Sequence, residues 1–505
     1  MPQQDELLAQ RRANMAELAK LGVDLYPRAF ARTDTIDALV TSHGGKTGAE
    51  LEAADIRATT SGRIVAIRSF GKANFLVLTS GAARIQIYVR QDSVAALDFQ
   101  VFRLLDLGDY VGVEGRLFRT KTNELTIRAS RLTFLAKCLL PLPEKWHGLQ
   151  DIEIRYRQRY LDLIVNPDSR RVFETRARIL AAIRRFLEAR GYLEVETPMM
   201  QPIAGGALAR PFVTHHNALD MDLYLRIAPE LYLKRLVVGG MERVYEINRN
   251  FRNEGISTQH NPEFTMLEFY QAYSDYQELM TMTEEMLREV ARAVVGREEF
   301  PFGEHTISVA QPFRRMSLRQ AVREEAGRRL GVEVSDAELR RRETAGALAG
   351  RLGIEVDRRA GPGRTTMEIF EALWEELLVQ PTFVYDFPTE VSPLSKQRKD
   401  DPETVERFEL YVGGFEVANA FSELNDPDEQ RRRFEQQLQE RKRGDLEAHQ
   451  MDHDYVTALE YGMPPTAGEG VGIDRLVMLL TDSHSIRDVI LFPLLRRQAV
   501  AADEE

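Results

Sequence analysis

The chain has 505 residues, 43% hydrophobic and 29% charged, which predicts a soluble globular protein of two or three domains. A single cysteine, Cys138, excludes an intrachain disulfide framework and argues against a thiolate metal site. The start has no apolar signal region and no stretch is long and apolar enough to cross a membrane, so we expect a cytoplasmic protein with no membrane partner.

The net charge of −11 is unevenly distributed along the chain. Residues 61–137 carry twelve Lys/Arg and six Asp/Glu, a balance of +6, although the chain as a whole is acidic. A basic module is typical of proteins that follow a nucleic-acid backbone, but an ordinary solvated face has the same composition. Charge alone therefore leaves both interpretations open.

After a helical extension over 1–58, the hydrophobic period changes to two. Strands are predicted over 61–67, 73–78, 84–90, 109–117 and 124–129. Five short strands predict a closed barrel of the OB type over 59–138, a fold that binds single-stranded nucleic acid by stacking and a basic groove. Candidates on or beside the binding face are Arg68, Phe75, Gln86 and Glu124. For an aromatic such as Phe75, core packing is the alternative.

The next segments predict a linker and the start of a larger domain. Residues 139–143 contain two prolines, which predicts a stiff linker, taken as 139–165. A helix is expected to end at Gly191, followed by a short strand stopped by Pro198. A further helix is predicted over 275–295. Residues 296–365 are rich in Arg and Glu and predict an insertion or helical subdomain.

Two alternating segments flank the loop 252–262. The first puts a polar row on one face, namely Glu246, Asn248, Asn250 and Arg252; the second puts Phe264, Met266, Glu268 and Tyr270 on one face. A guanidinium suits phosphate, an aromatic face suits a base, and acids suit cations, so this pattern favours a nucleotide site. A hairpin with a salt-bridged polar face is the alternative.

A second hairpin is predicted over 406–424, with Gly413-Gly414 as its turn. That turn puts Glu416 opposite Tyr411 and diagonal to Glu409, where the two acids can share a divalent cation. Asn419, Phe421 and Glu423 have the opposite parity to Glu416. If all five residues line one pocket, a β-bulge must lie between Glu416 and Asn419.

Residues 468–475 are glycine-rich and then become helical. The segment is neither a P-loop nor a dinucleotide fingerprint, so nucleotide binding would need another sheet architecture. Segments 191–198 (GYLEVETP), 251–254 (FRNE) and 470–475 (GVGIDR) resemble the three signatures of class II aminoacyl-tRNA synthetases. The amino-terminal barrel narrows the resemblance to the lysyl, aspartyl and asparaginyl subgroup.

Four further segments look like bacterial lysyl-tRNA synthetases: 227–234, 260–264, 419–425 and 486–493. The resemblance implies an α+β protein, with an OB-type anticodon-binding barrel and a class II catalytic domain over 166–505 whose antiparallel sheet is flanked by helices. It implies formation of lysyl-adenylate from lysine and ATP, and transfer of lysine to the 3′ end of tRNA(Lys). It also implies a homodimer, in which the segment around Pro198 packs across the two-fold axis.

The resemblance assigns roles by position. Arg252 and Arg475 would be catalytic, holding the α- and γ-phosphates. The implied ATP site is Arg252, Glu254, His260, Asn261, Phe264, Glu409 and Arg475. Glu409 and Glu416 would hold Mg²⁺, about three ions per active site by family resemblance. The implied lysine site is Gly206, Glu230, Glu268, Tyr270, Asn419, Phe421, Glu423 and Gly470. Phe75, Gln86 and Glu124 match positions that read the lysine anticodon, and Arg68 is a phosphate or base contact.

The substrate can also be argued from charge. Three acids around one ligand are costly to bury unless that ligand is rich in cations, which favours lysine over aspartate or asparagine. The alternatives are a lysine ligase acting on a protein, whose relatives lack the barrel, and a catalytically inactive RNA-binding paralogue. The paralogue should have lost Arg252, Glu409, Glu416 or Arg475, and all four are present.

Three residues depart from the family pattern. Ala418 and Ala420 stand where glycine is common, and we expect that their methyl groups could tighten the pocket. Glu469 stands where a bulky apolar residue is expected. It is interpreted as a peripheral change, or else as an additional acid near the amino-acid pocket.

Overall fold

The computed structural model describes residues 2–70, 73–143, 149, 151–207, 209–310, 312–357, 359–442 and 450–496. Part of the predicted linker and the last residues of the predicted catalytic domain lie outside these ranges. The chain divides into two compact units, residues 1–170 and 171–505. The predicted domain boundaries at 58/59, 138/139 and 165/166 stay predictions.

The first unit contains a closed five-stranded barrel in the order β1-β2-β3-β5-β4. Its strands are β1 (Arg57–Phe70), β2 (Ala73–Ser80), β3 (Ala83–Arg90), β4 (Tyr110–Arg119) and β5 (Leu125–Ala136). Its helices are α1 (Pro2–Lys20), α2 (Ile36–His43), α3 (Gly48–Ala54), α4 (Ala96–Arg103), α5 (Ile152–Arg157) and α6 (Arg159–Val165). The predicted OB barrel is confirmed.

Inward-facing apolar residues alternate with outward-facing residues along the barrel strands. On β3, Ile85, Ile87 and Val89 are at most 2% exposed, and the residues between them face outward. On β2, Leu76 and Leu78 fill the interior, which leaves Phe75 on the outer face. Core packing inside the barrel is therefore excluded as the role of Phe75.

The second unit is built on an eight-stranded sheet in the order β14-β15-β16-β17-β18-β11-β10-β6. The strands of this sheet are β6 (Leu193–Glu194), β10 (Arg243–Phe251), β11 (Glu263–Ala272), β14 (Arg314–Ser317), β15 (Thr382–Pro388), β16 (Thr404–Val412), β17 (Phe415–Ser422) and β18 (Thr466–Gly472). The central pairs are antiparallel. The predicted α+β class is confirmed.

Smaller sheets and helices complete this unit. The remaining strands are β7 (Met200–Gln201), β8 (Val213–His216), β9 (Met221–Leu225), β12 (Glu299–Phe302) and β13 (His305–Ser308). The helices are α7 (Pro167–Glu188), α8 (Glu230–Val238), α9 (Tyr276–Val295), α10 (Leu318–Leu330), α11 (Asp336–Leu339), α12 (Arg342–Leu352), α13 (Pro362–Trp374), α14 (Pro427–Lys442), α15 (His453–Glu460), α16 (Ile473–Thr481) and α17 (Ile486–Val489). Segment 296–365 thus combines the β12–β13 hairpin, edge strand β14 and helices that share an apolar core with β15 and β16.

One face of the large sheet packs on the long helices and the other face forms a polar cleft. Helices α7 and α9 supply Ile183, Phe186, Met286 and Val290 to the core, against Phe269 of β11. Side chains alternate along each strand, so the residues between these apolar positions point away from the helices.

The three departures from the family pattern lie on the core side of the sheet. Ala418 pairs with Val471 and Ala420 pairs with Glu469, and all four residues are at most 2% exposed. The expectation that Ala418 and Ala420 tighten the pocket is wrong, because their methyl groups point into the helix-packed core. Glu469 is neither peripheral nor part of the pocket.

Glu469 is a carboxyl group buried among apolar side chains. Both of its oxygens lie near Thr283 Oγ1, at 2.8 and 2.6 Å, and this hydroxyl is also 2.7 Å from the carbonyl oxygen of Leu279. Because a hydroxyl has one hydrogen, donation to Leu279 leaves the Glu469 contact in need of a proton on the carboxyl. Burial raises the pKa of Glu469 to about 8, which supplies that proton at neutral pH.

A neutral Glu469 makes stability depend on pH. Its carboxyl holds a proton up to pH 8 when folded but loses it near the ordinary value when unfolded, so stability falls as pH rises from 5 to 8. We expect Glu469→Gln to remove up to roughly 1.4 kcal/mol per pH unit of this slope. The measurement is urea unfolding of wild type and variant at pH 5, 6, 7 and 8. Glu284→Gln, next to Thr283 on α9, is the control and should keep the slope; equal slopes in wild type and Glu469→Gln would contradict the assignment.

Candidate active site

Strand pairing places the predicted pocket residues in one row across the sheet. Glu268 on β11 pairs with Gly470 on β18, Gly470 with Asn419 on β17, and Asn419 with Glu409 on β16. A second row, two residues along each strand, consists of Tyr270, Gly468, Phe421 and Arg407. Paired residues share a face of a sheet, so both rows form the floor of one cleft.

Glycines keep this floor open. A Cβ at Gly468 would clash with the Tyr270 ring and would lie 2.5 Å from a carboxylate oxygen of Glu423. A Cβ at Gly470 would lie 2.9 Å from Met266 Cε. Gly206 has φ +90°, a conformation that favours glycine, and a Cβ there would lie 3.0 Å from that of Glu230. Gly206 therefore lies beside Glu230, as the sequence predicts.

Three predicted lysine-site acids are buried in the cleft: Glu230 is 6% exposed, Glu268 4% and Glu423 1%. Glu230 begins α8 and Glu423 directly follows β17. Lys234, one turn along α8, pairs with both: its Nζ is 2.5 Å from Glu230 Oε1 and forms an ion pair with Glu423. Burial alone would lower the pKa of Lys234, but these two carboxylates raise it above the ordinary value.

Glu268 has no ion-pair partner among the described residues. Its Oε2 accepts a hydrogen bond from the Tyr270 hydroxyl at 3.1 Å. Burial, helped by the charge of Glu230, raises the pKa of Glu268 to about 8. Burial also raises the pKa of Glu230 and of Glu423, although Lys234 opposes it, so all three carboxyls would ionise more readily beside a further bound cation.

The β10–β11 loop supplies the predicted nucleotide groups. Arg252 follows β10 and its guanidinium lies 5.1 Å from the centroid of the Phe264 ring. Its Nε is buried without a hydrogen-bond partner in the described part of the chain. Burial lowers the pKa of Arg252, and Glu254, Glu416 and Glu268 oppose that effect. A half-buried guanidinium with a buried, unused Nε–H donor suits an anionic ligand.

The remaining nucleotide candidates border the same loop. Arg475 on α16 donates to the carbonyl oxygen of Glu416 at 2.6 Å and lies 3.3 Å from His260 Nε2. Burial and the charge of Arg475 lower the pKa of His260. Asn261 is 6% exposed, with its side-chain oxygen unpartnered, whereas Glu254 is exposed. The structure thus brings Glu254, His260, Phe264 and Arg475 together around Arg252.

The predicted β-bulge is confirmed. Both residues of the Gly413-Gly414 turn have positive φ, +68° and +84°, as a two-residue hairpin turn requires. Tyr411 pairs with Glu416 as predicted, but Leu410 pairs with Ala418, so Val417 is the extra residue. The bulge turns Glu416 toward the face that Asn419 and Glu409 occupy.

Glu409 and Glu416 fit the predicted metal site in part. Glu409 is 4% exposed and accepts hydrogen bonds from Arg407 at 2.5 Å and Tyr411 at 2.6 Å. Burial and the charge of Glu416 raise the pKa of Glu409 to about 7, although Arg407 opposes them. Within the described ranges no three acids, histidines or cysteines form a metal-binding group. Two carboxylates suit Mg²⁺, which usually completes its octahedron with phosphate oxygens and water.

Some supporting residues were missed from the sequence. Arg226, fully buried after β9, donates to Glu246 Oε1 at 2.7 Å and to the Thr197 carbonyl at 3.2 Å. Asp474 accepts from Arg176 at 2.6 Å and from the backbone of Thr265, which fixes α16 against β11. A charged residue inside an apolar stretch, as Arg226 is in Leu-Tyr-Leu-Arg-Ile-Ala, was the available signal.

The barrel presents a separate candidate surface. Cross-strand pairing aligns Arg68, Phe75, Tyr88, Arg128 and Arg116 in one row across all five strands. The Phe75 and Tyr88 rings are 5.0 Å apart, and Arg128 lies 4.8 Å over the Phe118 ring. We call this row, with Phe118, the aromatic–basic strip.

The other predicted anticodon residues border the strip. Gln86 donates to Thr126 Oγ1 at 3.0 Å, two residues before Tyr88 on β3, and the exposed Glu124 stands two residues before Thr126. Tyr88, Phe118 and Arg128 were missed, although alternation places each of them on an outward-facing position.

Comparisons with known proteins agree with this architecture. Residues 151–496 match the family of class II tRNA synthetases (D, K and N), and residues 58–135 match an OB-fold nucleic acid binding domain. A lysine–tRNA ligase of Pelotomaculum thermopropionicum is 52% identical over 97% of this chain and 95% of the relative. The heat-inducible lysine–tRNA ligase of Escherichia coli K12 is 52% identical over 97% of this chain and 96% of its own.

Among the described residues, no helix combines the length and the apolar character needed to span a membrane. The names of these relatives support an active synthetase and give no support to an inactive paralogue. By its matched domains and its near full-length relatives, the chain belongs to the class II tRNA synthetases of the aspartyl, lysyl and asparaginyl group, and within that group to the lysine–tRNA ligases.

Proposed function

We propose that this chain activates lysine with ATP and transfers it to the 3′ end of tRNA(Lys). The observation that carries the proposal is the three-acid cleft beside Arg252, in which Glu230, Glu268 and Glu423 are buried next to a guanidinium with an unused donor. Lys234 is one cation for two of these acids, and a ligand with two ammonium groups and one carboxylate adds the further positive charge that three acids need and an anion for Arg252. Glu230 takes the α-ammonium, and Glu268, Glu423 and Tyr270 take the ε-ammonium.

In the first step the lysine carboxylate attacks the α-phosphorus of ATP. A bond forms between carboxylate oxygen and phosphorus as the bond to the pyrophosphate oxygen breaks, so no general base is needed. Arg252 holds the α-phosphate and Arg475 the γ-phosphate, where guanidinium groups stabilise transferred charge. Phe264 stacks on adenine, and the step relies on positioning and charge stabilisation.

Glu409 and Glu416 would hold Mg²⁺, about three ions per site in total. Bound Mg²⁺ would neutralise phosphate charge during displacement. The bulge at Val417 supports this role because it places both carboxylates on the cleft face. The second step transfers lysine from the adenylate to a terminal ribose hydroxyl of tRNA, with AMP as the leaving group. The tRNA substrate favours a cytoplasmic enzyme.

Amino-acid-dependent pyrophosphate exchange tests the first step. With twenty amino acids offered separately, we expect exchange with lysine alone. Gly468→Ala should raise the KM for lysine at least about tenfold, because the added methyl group clashes with Tyr270 and Glu423. Exchange with aspartate or asparagine and none with lysine would overturn the proposal.

Two variants serve as controls in the exchange assay. Gly472→Ala adds a methyl whose nearest neighbour is 3.6 Å away, an ordinary contact, so the lysine KM should stay near that of wild type. Glu416→Gln should raise the Mg²⁺ concentration needed for half-maximal exchange and leave the lysine KM within about twofold.

We further propose that the aromatic–basic strip binds the anticodon loop. Arg68, Phe75, Gln86 and Glu124 supply the contacts expected from the family pattern. Tyr88, Phe118 and Arg128 extend the surface beyond Phe75, which suits several unpaired bases stacked in sequence.

Substitutions of aromatic and of basic residues in the aromatic–basic strip should affect tRNA binding in different ways. Tyr88→Leu should weaken binding of tRNA(Lys) about 5- to 100-fold, the cost of one lost stacking contact. Arg128→Gln should lower the slope of log K against log salt by about one. Filter binding between 50 and 300 mM salt measures both. Tyr110→Leu, an aromatic under Arg63, is the matched control and should bind as wild type; equal loss in Tyr88→Leu and Tyr110→Leu would argue against the strip.

We also propose a homodimer formed through the segment around Pro198. Large apolar side chains are exposed there, including Met200 at 56%, Val213 at 59% and Leu219 at 66%. Two-fold assembly would remove this apolar area from water. Met200→Glu with Leu219→Glu should therefore shift the sedimentation of the full chain from dimer toward monomer. Tyr461→Glu, an exposed aromatic elsewhere, should stay dimeric, and a monomeric wild type would refute the proposal.

A further inference from the structure

The imidazole of His260 lies between a serine of its own loop and the arginine of α16 that is proposed to hold the γ-phosphate. Its Nδ1 is 2.9 Å from Ser257 Oγ, and its Nε2 is 3.3 Å from Arg475 Nη2. A neutral imidazole has one N–H donor and one acceptor nitrogen. The nitrogen that carries the proton therefore determines what this ring offers to a ligand.

The hydroxyl of Ser257 determines the position of that proton. Its oxygen accepts a hydrogen bond from the backbone N–H of Gln259 at 3.1 Å and from that of His260 at 3.0 Å. A hydroxyl has two acceptor lone pairs and one hydrogen, so these two bonds leave only the hydrogen for the imidazole. Nδ1 of His260 is then the acceptor, and the proton of the neutral ring is on Nε2.

The opposite tautomer would suit Arg475, but the distances argue against it. A guanidinium has no acceptor, so a hydrogen bond to Arg475 would need an unprotonated Nε2. The 3.3 Å contact is the longest of the four, and it exceeds the range of about 2.7–3.2 Å that is usual for N–H···O bonds. The serine contacts are also fixed by a tight turn, in which the Ser257 N–H donates to the His260 carbonyl oxygen at 3.1 Å.

The charged groups around the ring favour its neutral form. Partial burial lowers the pKa of His260, and the positive charges of Arg475 and Arg252 add to this effect. Glu254 and Glu416 act in the opposite direction. Because the ordinary pKa of a histidine is about 6.5, the ring is mainly neutral at pH 7.5 and holds a single proton.

We propose that Ser257 is a positioning residue that holds His260 in its Nε2–H tautomer, so that His260 and Arg475 present two donors to one phosphate oxygen of the nucleotide. Two N–H groups whose nitrogens are 3.3 Å apart repel each other, and an anionic oxygen within hydrogen-bond distance of both nitrogens accepts from each. The inference rests on the proposed binding of ATP phosphates beside Arg475.

Substitution of Ser257 tests this inference by its effect on ATP. Without the hydroxyl, His260 is free to move its proton to Nδ1 and to accept from Arg475, so one donor to the phosphate is lost. In lysine-dependent pyrophosphate exchange, Ser257→Ala should raise the KM for ATP about tenfold and leave the KM for lysine within about twofold. Ser257→Thr keeps the hydroxyl and should have the wild-type KM for ATP. An unchanged KM for ATP in Ser257→Ala would overturn the inference.

A double-mutant cycle distinguishes control of the tautomer from a general effect on the loop. His260→Gln presents an amide N–H donor whether or not Ser257 is there. In the His260→Gln background, Ser257→Ala should therefore change the KM for ATP by less than about twofold. A purely structural role would again cost about tenfold, which would refute the proposal. Thr258→Ala is the matched control, because it removes the next hydroxyl of the loop and keeps the carbonyl that accepts from the Ile486 N–H.

The tautomer can also be measured directly in the full-length protein without nucleotide. The ¹⁵N chemical shifts of labelled histidine rings distinguish protonated from unprotonated nitrogens, and His260→Gln identifies the His260 signals among the nine histidines. At pH 7.5 wild type should show the Nε2–H tautomer, and Ser257→Ala should shift toward Nδ1–H. An Nδ1–H tautomer in wild type would overturn the inference, even if Ser257→Ala did not fold.

The two measurements fail independently of each other. Exchange activity that is absent from wild type, together with an Nε2–H tautomer, would count against the proposed function and leave the tautomer assignment in place. Normal exchange activity with an Nδ1–H tautomer would leave the proposed function in place and remove the role of Ser257.

Discussion

The free-energy cost of burying carboxylates determines which charged groups must lie together in the catalytic unit. Glu230, Glu268 and Glu423 are all nearly inaccessible to solvent, and each would hold a proton at neutral pH if no cation stood beside it. Lys234 partners two of them, and the third has no ion pair in the described part of the chain. The same requirement acts on the opposite charge at Arg252, whose half-buried guanidinium has an unused Nε–H donor among the described residues. The proposed selectivity for lysine and the proposed affinity for a triphosphate would therefore have one physical origin.

The register of the strands determines where the polar groups of the cleft lie. Five strands contribute Glu246, Glu268, Gly470, Asn419 and Glu409 to a single row, so hydrogen bonds between backbones fix the spacing of the polar groups. A sheet places side chains more rigidly than loops do, and one extra residue at Val417 is enough to rotate Glu416 into the row. The proposed phosphate-binding groups, Arg252 and Arg475, come instead from the β10–β11 loop and from α16.

Local sequence patterns predicted the barrel, both hairpins and the bulge, since alternation and a Gly-Gly turn are encoded over a few residues. They could not place Ala418, Ala420 and Glu469, because the face of a strand depends on the register across the bulge and on which side the helices pack. Lys234 was missed for a similar reason: its partner Glu423 lies far along the chain, and only the folded sheet brings α8 beside the end of β17. The fold of residues 296–365 could not be predicted, because it depends on tertiary packing against β15.

Buried carboxyl groups lie on both faces of strand β18, and their charge is compensated in a different way on each face. Its glycines face the cleft beside Glu268 and Glu423, and its Glu469 faces the helices, where Thr283 is its hydrogen-bond partner and the described residues provide no ion pair. A proton neutralises Glu469, whereas Lys234 neutralises Glu423. The difference decides function, because a carboxyl held neutral by a proton and enclosed by apolar side chains has no ligand to exchange for it. On the open face, where glycine leaves room, the proposed lysine substrate would bring a second cation to the buried acids.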